Sequence, residues 1–277
     1  MNPQAKKHLS VYKNSDNFPQ VDVLDGQGYV ILLDSMGHDK RIASRARVKS
    51  EDTEFYDKDA KLVRYMSDNQ HTSPFEHVVF QFEVKAPIFV LRQWHRHRTW
   101  SYNEISARYS VLPEDFYVPA LEMVGQQSKT NKQVRDLMLD MPTEYREKRT
   151  LELEQYRVAC EQANALYKSL LASGWPRELA RMVLPVSMFS KMVAQVNLHN
   201  LIHFLKLRLH EHAQIEIREY AKALAILAAR VVPYTMGLVL YDLSQNPAYK
   251  MDSHESWTDH AIAKIFNKNP IQEPRAK

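Results

Sequence analysis

Apolar positions recur in steps of three and four between residues 144 and 172. Leu153, Tyr156, Cys160, Ala163, Tyr167 and Leu170 make one stripe, which predicts the longest helix of the chain. Gly174 and Pro176 then supply a stop. His77 to Lys85 is rich in β-branched and aromatic residues and reads as a buried strand, as do Tyr29 to Leu33 and Met188 to Asn197. Pro87 can open a helix that runs on through Arg98. Further helices are predicted at about 50–66, with Ser50 as N-cap, at Pro176 to Val183, and at about 198–209 and 213–231. Polar stretches fill the rest: residues 1–20 with little expected order, a loop from Thr99 to Pro119, a linker at 121–142, and a tail from Gln245 with at most one short helix. Long helices around a few strands, without regular alternation, place the chain in the α+β class. The expected division is an N-terminal segment 1–20, a main domain 21–244 and a tail 245–277.

Composition narrows the field. A chain of 277 residues with 44% hydrophobic content can bury a full core. Its net charge of +4 is too small to imply bulk nucleic-acid binding, so the placement of the arginines matters more than their number. One cysteine excludes an internal disulfide and fits a reducing compartment. The start, MNPQAKKHLSVYKN, lacks an apolar core of signal-peptide length, and no aliphatic run is long enough to span a bilayer, so a cytoplasmic protein is expected. Glycine is scarce, 6 in all. Gly26 and Gly28 have no third partner for a dinucleotide fingerprint, and no phosphate-binding glycine loop exists, so a bound nucleotide must be held by side chains.

The densest chemistry lies in RQWHRHRTWSYNEISAR, Arg92 to Arg108, where four guanidiniums and two imidazoles crowd around a single acid, Glu104. Like charges so close repel unless an anion or solvent screens them, and guanidinium forks match phosphate oxygens. A solvated basic helix end would serve equally well on charge alone. Thr99, Ser101, Asn103, Glu104 and Ser106 add small hydrogen-bonding groups that a merely solvated face does not need.

RHRTWSYNEIS, Arg96 to Ser106, resembles the signature of flavin-dependent thymidylate synthases: Arg-His-Arg, seven residues, then serine. HTSPFEHVVFQFEVKAPIFVLRQW upstream, and RELARMVLP and NLHNLIHFLKLRLHEHAQIEI downstream, are similar to the family in order and spacing, over about residues 20–240. The resemblance implies an α+β fold with a mainly antiparallel sheet flanked by long helices, and a homotetramer whose active sites are shared between subunits. It also implies a reaction, in which a methylene passes from 5,10-methylenetetrahydrofolate to carbon 5 of dUMP. Reduced FAD gives the hydride, NADPH reloads the flavin, and the products are dTMP and tetrahydrofolate. The family uses no cysteine nucleophile, and Cys160, on the apolar stripe, is expected only to pack.

Residue by residue, the resemblance puts Ser73, Arg96, His97, Arg98, Glu104, Asn197, His199 and His203 at flavin-contacting positions. His199 and His203 stand where the family usually carries arginine and asparagine, although both can still donate hydrogen bonds. The matching dUMP positions are Gln93, Arg96, Glu104, Ser106, Arg108, Arg181 and Arg208. Arg208 is expected to stabilise negative charge on the activated uracil, since a guanidinium stays protonated as anionic character develops. Ser106 lies near the substrate by resemblance. With no histidine within four residues, it is expected to position dUMP rather than attack it.

Two other classes compete. His95 and His97, and His210 and His212, are His-x-His pairs that could ligate zinc in a hydrolase. Arginines surround the first pair, and Glu211 should point away from the second in regular structure. Trp94, Trp100, Tyr102 and Tyr109 interleave with the arginines as stacking platforms for single-stranded RNA would.

Overall fold

The computed structural model describes residue 9 and residues 11–50, 54–137 and 141–249. Three antiparallel strands begin it: β1 (Val11–Lys13), β2 (Pro19–Val23) and β3 (Gly28–Met36). Residues 11–20, expected to be poorly ordered, are therefore the edge and entry of the main sheet. Most of their polar side chains face solvent, apart from the buried Gln20, while Val21 and Val23 reach the core. Two helices follow, α1 (Asp39–Ala46) and α2 (Asp57–Asp68). The second begins at Asp57 and not at Ser50, because the Asp59 carboxylate accepts from the Tyr56 backbone N–H at 3.0 Å and fixes the first turn there. That carboxylate is fully buried and also holds Lys40 at 2.8 Å, so it locks the two helices together.

β4 (Val79–Pro87) continues the sheet, and α3 (Ile88–Trp94) follows directly. In β4, Phe80, Phe82, Val84 and Ala86 alternate inward while Gln81, Glu83 and Lys85 stay on the other face, the period-two pattern of a half-buried strand. The helix stops at Trp94, short of the expected Arg98. Tyr102 donates its hydroxyl to the carbonyls of Trp94 and His97, at 3.2 and 2.9 Å, and so caps a turn with oxygens that a longer helix would have used. After that turn, β5 (Ser101–Glu104) lies within the segment expected to be loop; its polar residues form the far edge of the sheet.

The expected linker is also structured. It carries α4 (Leu121–Val124) and a small hairpin, β6 (Gln126–Gln127) with β7 (Arg135–Asp136). The long helix α5 (Thr143–Ala172) matches its predicted span and buries Cys160, Asn164 and Tyr167 from one face. α6 (Arg177–Ala180) and β8 (Phe189–Asn197) follow as expected. Then come α7 (Leu198–Arg208), α8 (Ile215–Ala228) and a helix not read from the sequence, α9 (Pro233–Ser244).

The six main strands run β1-β2-β3-β4-β8-β5, every neighbouring pair antiparallel. The architecture is α+β, as expected. α8 lies across β2 and β3 and packs against α3, α7 and α9. Ile217, Tyr220, Leu224 and Leu227 on α8 are fully buried, each contributing roughly 1.5–3 kcal/mol by leaving water. Gly28 is required at its position: an added Cβ would overlap the Tyr220 hydroxyl, which donates to the Lys85 carbonyl at 2.7 Å. Beyond α9, Tyr249 donates to the Lys206 carbonyl at 2.8 Å and its ring meets His210, so the start of the tail packs on its own chain. Trp257 and Phe266, the other large aromatic residues of the tail, lie outside the described residues. Among the described residues, no helix is long and apolar enough to cross a membrane.

Candidate active site

The end of α3, the turn after it and the end of α7 converge. α7 starts cleanly because the Asn197 side chain accepts from the Asn200 N–H at 2.9 Å, a standard N-cap. Eleven residues later the helix delivers Arg208 to the turn at 95–100. There Arg208 Nε donates to His97 Nε2 at 2.9 Å, and Arg208 Nη2 donates to the Gln93 carbonyl at 3.1 Å. His97 is buried, with 6% exposure, and lies against Phe204 with ring centroids 4.6 Å apart. Burial, the Arg208 charge and His203 push its pKa down to about 4. It is therefore a neutral imidazole at ordinary pH, with its Nε2 lone pair aimed at the guanidinium.

Arg208 is itself lowered by burial and by the charge of Arg96. Arg96 and Arg98 form no hydrogen bond or ion pair with any described residue, and both are exposed. The open guanidinium of Arg96 beside the half-buried Arg208, with Arg98 exposed in the same turn, makes a site that favours an anion. The site residues expected from the sequence thus meet at Gln93, Arg96, His97, His203 and Arg208. Glu104 sits on the neighbouring edge strand, where Ser190 donates to it at 2.6 Å and His95 approaches to 3.9 Å.

A second group lies at the other end of β5. Ser106 Oγ accepts from the Arg108 N–H at 3.3 Å, and Arg108 approaches Glu178 at 3.9 Å. Arg181 donates to the Glu178 carbonyl at 3.3 Å. Among the described residues, no hydrogen bond or ion pair joins these arginines to Arg208. Ser73 opens a 3-10 turn (Ser73–His77) that packs against α7, which brings it to the same flank as Asn197 and His199. The Asn197 oxygen is engaged in capping, so its amide N–H groups are what it has left to offer a ligand.

The part that several residues play in this constellation was not read from the sequence. Tyr102 shapes the turn, Ser190 holds Glu104, and Gln214 accepts from the Gln93 amide. The contacts of Ser190 and Gln214 cross 86 and 121 positions, and no local pattern marks either residue. A cavity of about 500 Å3 beside the start of α8 is lined by Phe89, Tyr117, Arg135, Tyr156, Gln214 and Glu216 among others. None of the four arginines at 96, 108, 181 and 208 lines it, and the chemistry of the chain points to the arginine side instead.

The rival constellations take other forms. Trp94 and Trp100 are buried and pack on Phe204, so they belong to the core; only Tyr109 is strongly exposed. The His210 and His212 rings lie 4.7 Å apart in an irregular turn. Contrary to the alternation argument, the Glu211 carboxylate comes to 3.6 Å from His212, because the chain there is neither helix nor strand. No set of three or more potential metal ligands converges among the described residues.

Comparison with known proteins bears on the same residues. The family profile described as thymidylate synthase complementing protein matches residues 31–234. A flavin-dependent thymidylate synthase from Thermus thermophilus is 48% identical over 215 residues, 77% of this chain and 75% of that one. One from Thermotoga neapolitana is 39% identical over 234 residues, 84% of this chain and 97% of that one. Among solved structures, the UMP/dUMP methylase PolB from Streptomyces cacaoi bound with 5-Br UMP superposes with a TM-score of 0.69. It is 35% identical, and the match covers 78% of this chain and 94% of that one.

Proposed function

The chain belongs to the flavin-dependent thymidylate synthases, and from that premise we propose that it makes dTMP from dUMP by reductive methylation. The one-carbon unit comes from 5,10-methylenetetrahydrofolate and NADPH is the reductant; tetrahydrofolate and NADP+ leave. The observation that carries this reading is the Arg208–His97 pair beside the open guanidinium of Arg96, with Arg98 exposed in the same turn.

The donor set fits FAD. Arg96 and Arg98 offer charge to a pyrophosphate, while Ser73, Asn197, His199 and His203 offer short hydrogen-bonding side chains along α7 and the turn beside it. FAD supplies the hydride when bound and reduced. The chain's own task is orientation and charge. Arg208 spends Nε on His97 and one Nη2 N–H on the Gln93 carbonyl, which fixes the plane of the fork. Its remaining N–H groups are free to meet the uracil edge, where negative charge develops as carbon 5 becomes nucleophilic. A neutral His97 is the right partner, because an imidazolium would repel the guanidinium it holds. Gln93, Arg96, Glu104, Arg108 and Arg181 complete the dUMP site, the arginines serving its phosphate.

Ser106 positions the nucleotide. Its hydroxyl is engaged by the Arg108 N–H and, among the described residues, has no histidine partner to take its proton. Cys160 is buried on α5, 3.8 Å from Ser187 Oγ, and serves packing.

The catalytic unit, expected over residues 21–244, also takes in β1 and the start of β2 from the N-terminal segment and the packed beginning of the tail, and it works as a homotetramer in the cytoplasm. α5 supports the assembly. Opposite its buried stripe it exposes Leu151, Val158, Ala159, Gln162, Ala165, Leu166 and Ser169, an uncharged face on an otherwise charged helix. In such an assembly the Arg108 and Arg181 group of one subunit can complete the Arg208 group of another.

Product analysis tests the reading. Purified protein with FAD, NADPH, 5,10-methylenetetrahydrofolate and dUMP should yield dTMP, and omission of any one should abolish it. Ser106→Ala should retain turnover with weakened dUMP affinity. Complete loss of turnover at normal dUMP affinity would make Ser106 the nucleophile instead.

A further inference from the structure

Gln214 stands at the N-cap of α8 but makes no capping bond through its side chain. Its amide oxygen instead accepts from Gln93 Nε2. Gln93 is thereby tied at both ends, since its carbonyl takes the Arg208 Nη2 donor at 3.1 Å. One residue therefore joins the charge-stabilising arginine to the first turn of α8.

That first turn is rigidly anchored. Glu216, two residues on, is 2% exposed. Arg135 from the β6–β7 hairpin grips its carboxylate with both Nη atoms, at 2.8 and 3.3 Å, and the Tyr117 hydroxyl donates to it at 3.3 Å. A bidentate pair on a buried carboxylate holds its geometry, because separating the charges would leave one of them buried and unpaired. The hairpin thus fixes α8, α8 fixes Gln214, and Gln214 fixes the Gln93 amide.

We propose that Gln214 is a positioning residue for dUMP, which orders the Gln93 amide before the nucleotide arrives. A glutamine amide on a half-buried helix end otherwise samples several rotamers, and binding would have to select one. With one Nε2 hydrogen committed to Gln214, the Gln93 amide is tethered and keeps its second hydrogen and its oxygen for the nucleotide. The inference rests on the placement of Gln93 in the dUMP site given above.

The test is a double-mutant cycle on the FAD-loaded full chain, read as the dUMP dissociation constant by calorimetry together with kcat. Gln214→Leu keeps the volume and removes the acceptor. It should weaken dUMP binding about 3- to 10-fold, the range of one ordered hydrogen-bonding side chain, with kcat at saturating dUMP little changed. In a Gln93→Leu background the same substitution should add almost nothing. Equal effects in both backgrounds, or no effect of Gln214→Leu on dUMP affinity, would overturn the inference and leave the proposed function standing. Unchanged affinity in Gln93→Leu alone would mean that Gln93 does not belong to the dUMP site, and both would fall at that residue. Should Gln214→Leu fold poorly, Gln214→Asn draws the amide back by one methylene and gives the same expected sign.

Discussion

At the scale of single residues, the site turns on a hydrogen bond that only a neutral histidine can accept. His97 has an ordinary value of 6.5, brought to about 4 by burial, by Arg208 and by His203. Between those two pH values the unfolded chain binds a proton that the folded chain refuses. Stability therefore falls as pH drops from about 6.5 to about 4, and this contribution levels off below. In His97→Gln, whose amide oxygen can still accept from Arg208, the melting temperature should lose less over that window than in the wild type. Identical pH dependence of the two proteins would show that His97 does not titrate in this way. The sequence made the contiguous part of the site legible, since Arg96 to Arg108 is one run of chain. It did not disclose which partner each residue takes. His97, expected as a flavin contact or, in the rival reading, a zinc ligand, meets Arg208 across 111 positions, and Tyr102, expected as a possible stacking group, turns its hydroxyl inward to shape the loop.

At the scale of elements, periodicity was a sound guide wherever one face is buried. β4, β8, α5 and α7 lie within a few residues of their expected spans. Elements with no such contrast were missed. α9 is apolar nearly all round, with Met236, Leu238, Val239 and Leu240 buried, so it shows no stripe. α1 buries Asp39 and Lys40, which a polar pattern places outside; Asp39 is satisfied by the Thr235 hydroxyl at 2.6 Å, and Lys40 by Asp59. β5 is a polar edge strand that exists because β8 offers it a partner, with Tyr102 opposite Ala194. The tightest junction between elements is where Gly28 of β3 admits the Tyr220 hydroxyl of α8 to the Lys85 carbonyl of β4. Gly28→Ala should displace that hydroxyl and cost about 2 kcal/mol or more in denaturant unfolding, from overpacking and a lost buried bond. A change within about 0.5 kcal/mol, the range of neutral surface substitutions, would mean that the contact is loose.

At the scale of the whole molecule, one chain gathers the expected site residues into separate groups. Arg208, His97 and Gln93 form one, Arg108 and Arg181 another, and both lie on a protein whose longest helix bares an uncharged stripe. The sequence showed three distant basic segments but not how far apart they would fall, because that depends on how the sheet edge at β5 separates them. With the shared site proposed above, FAD affinity should fall as dilution dissociates the assembly. Sedimentation with flavin absorbance detection measures both together, and FAD binding that survives dilution to monomer would contradict the shared site. The central claim, a flavin reduced by NADPH beside a dUMP site, has a more direct test. The FAD-loaded protein is followed by absorbance under anaerobic conditions as NADPH is added, with and without dUMP. The account expects the oxidised flavin bands to bleach, and to bleach faster when dUMP is present. A protein that binds no flavin, or whose flavin is untouched by NADPH, would contradict it.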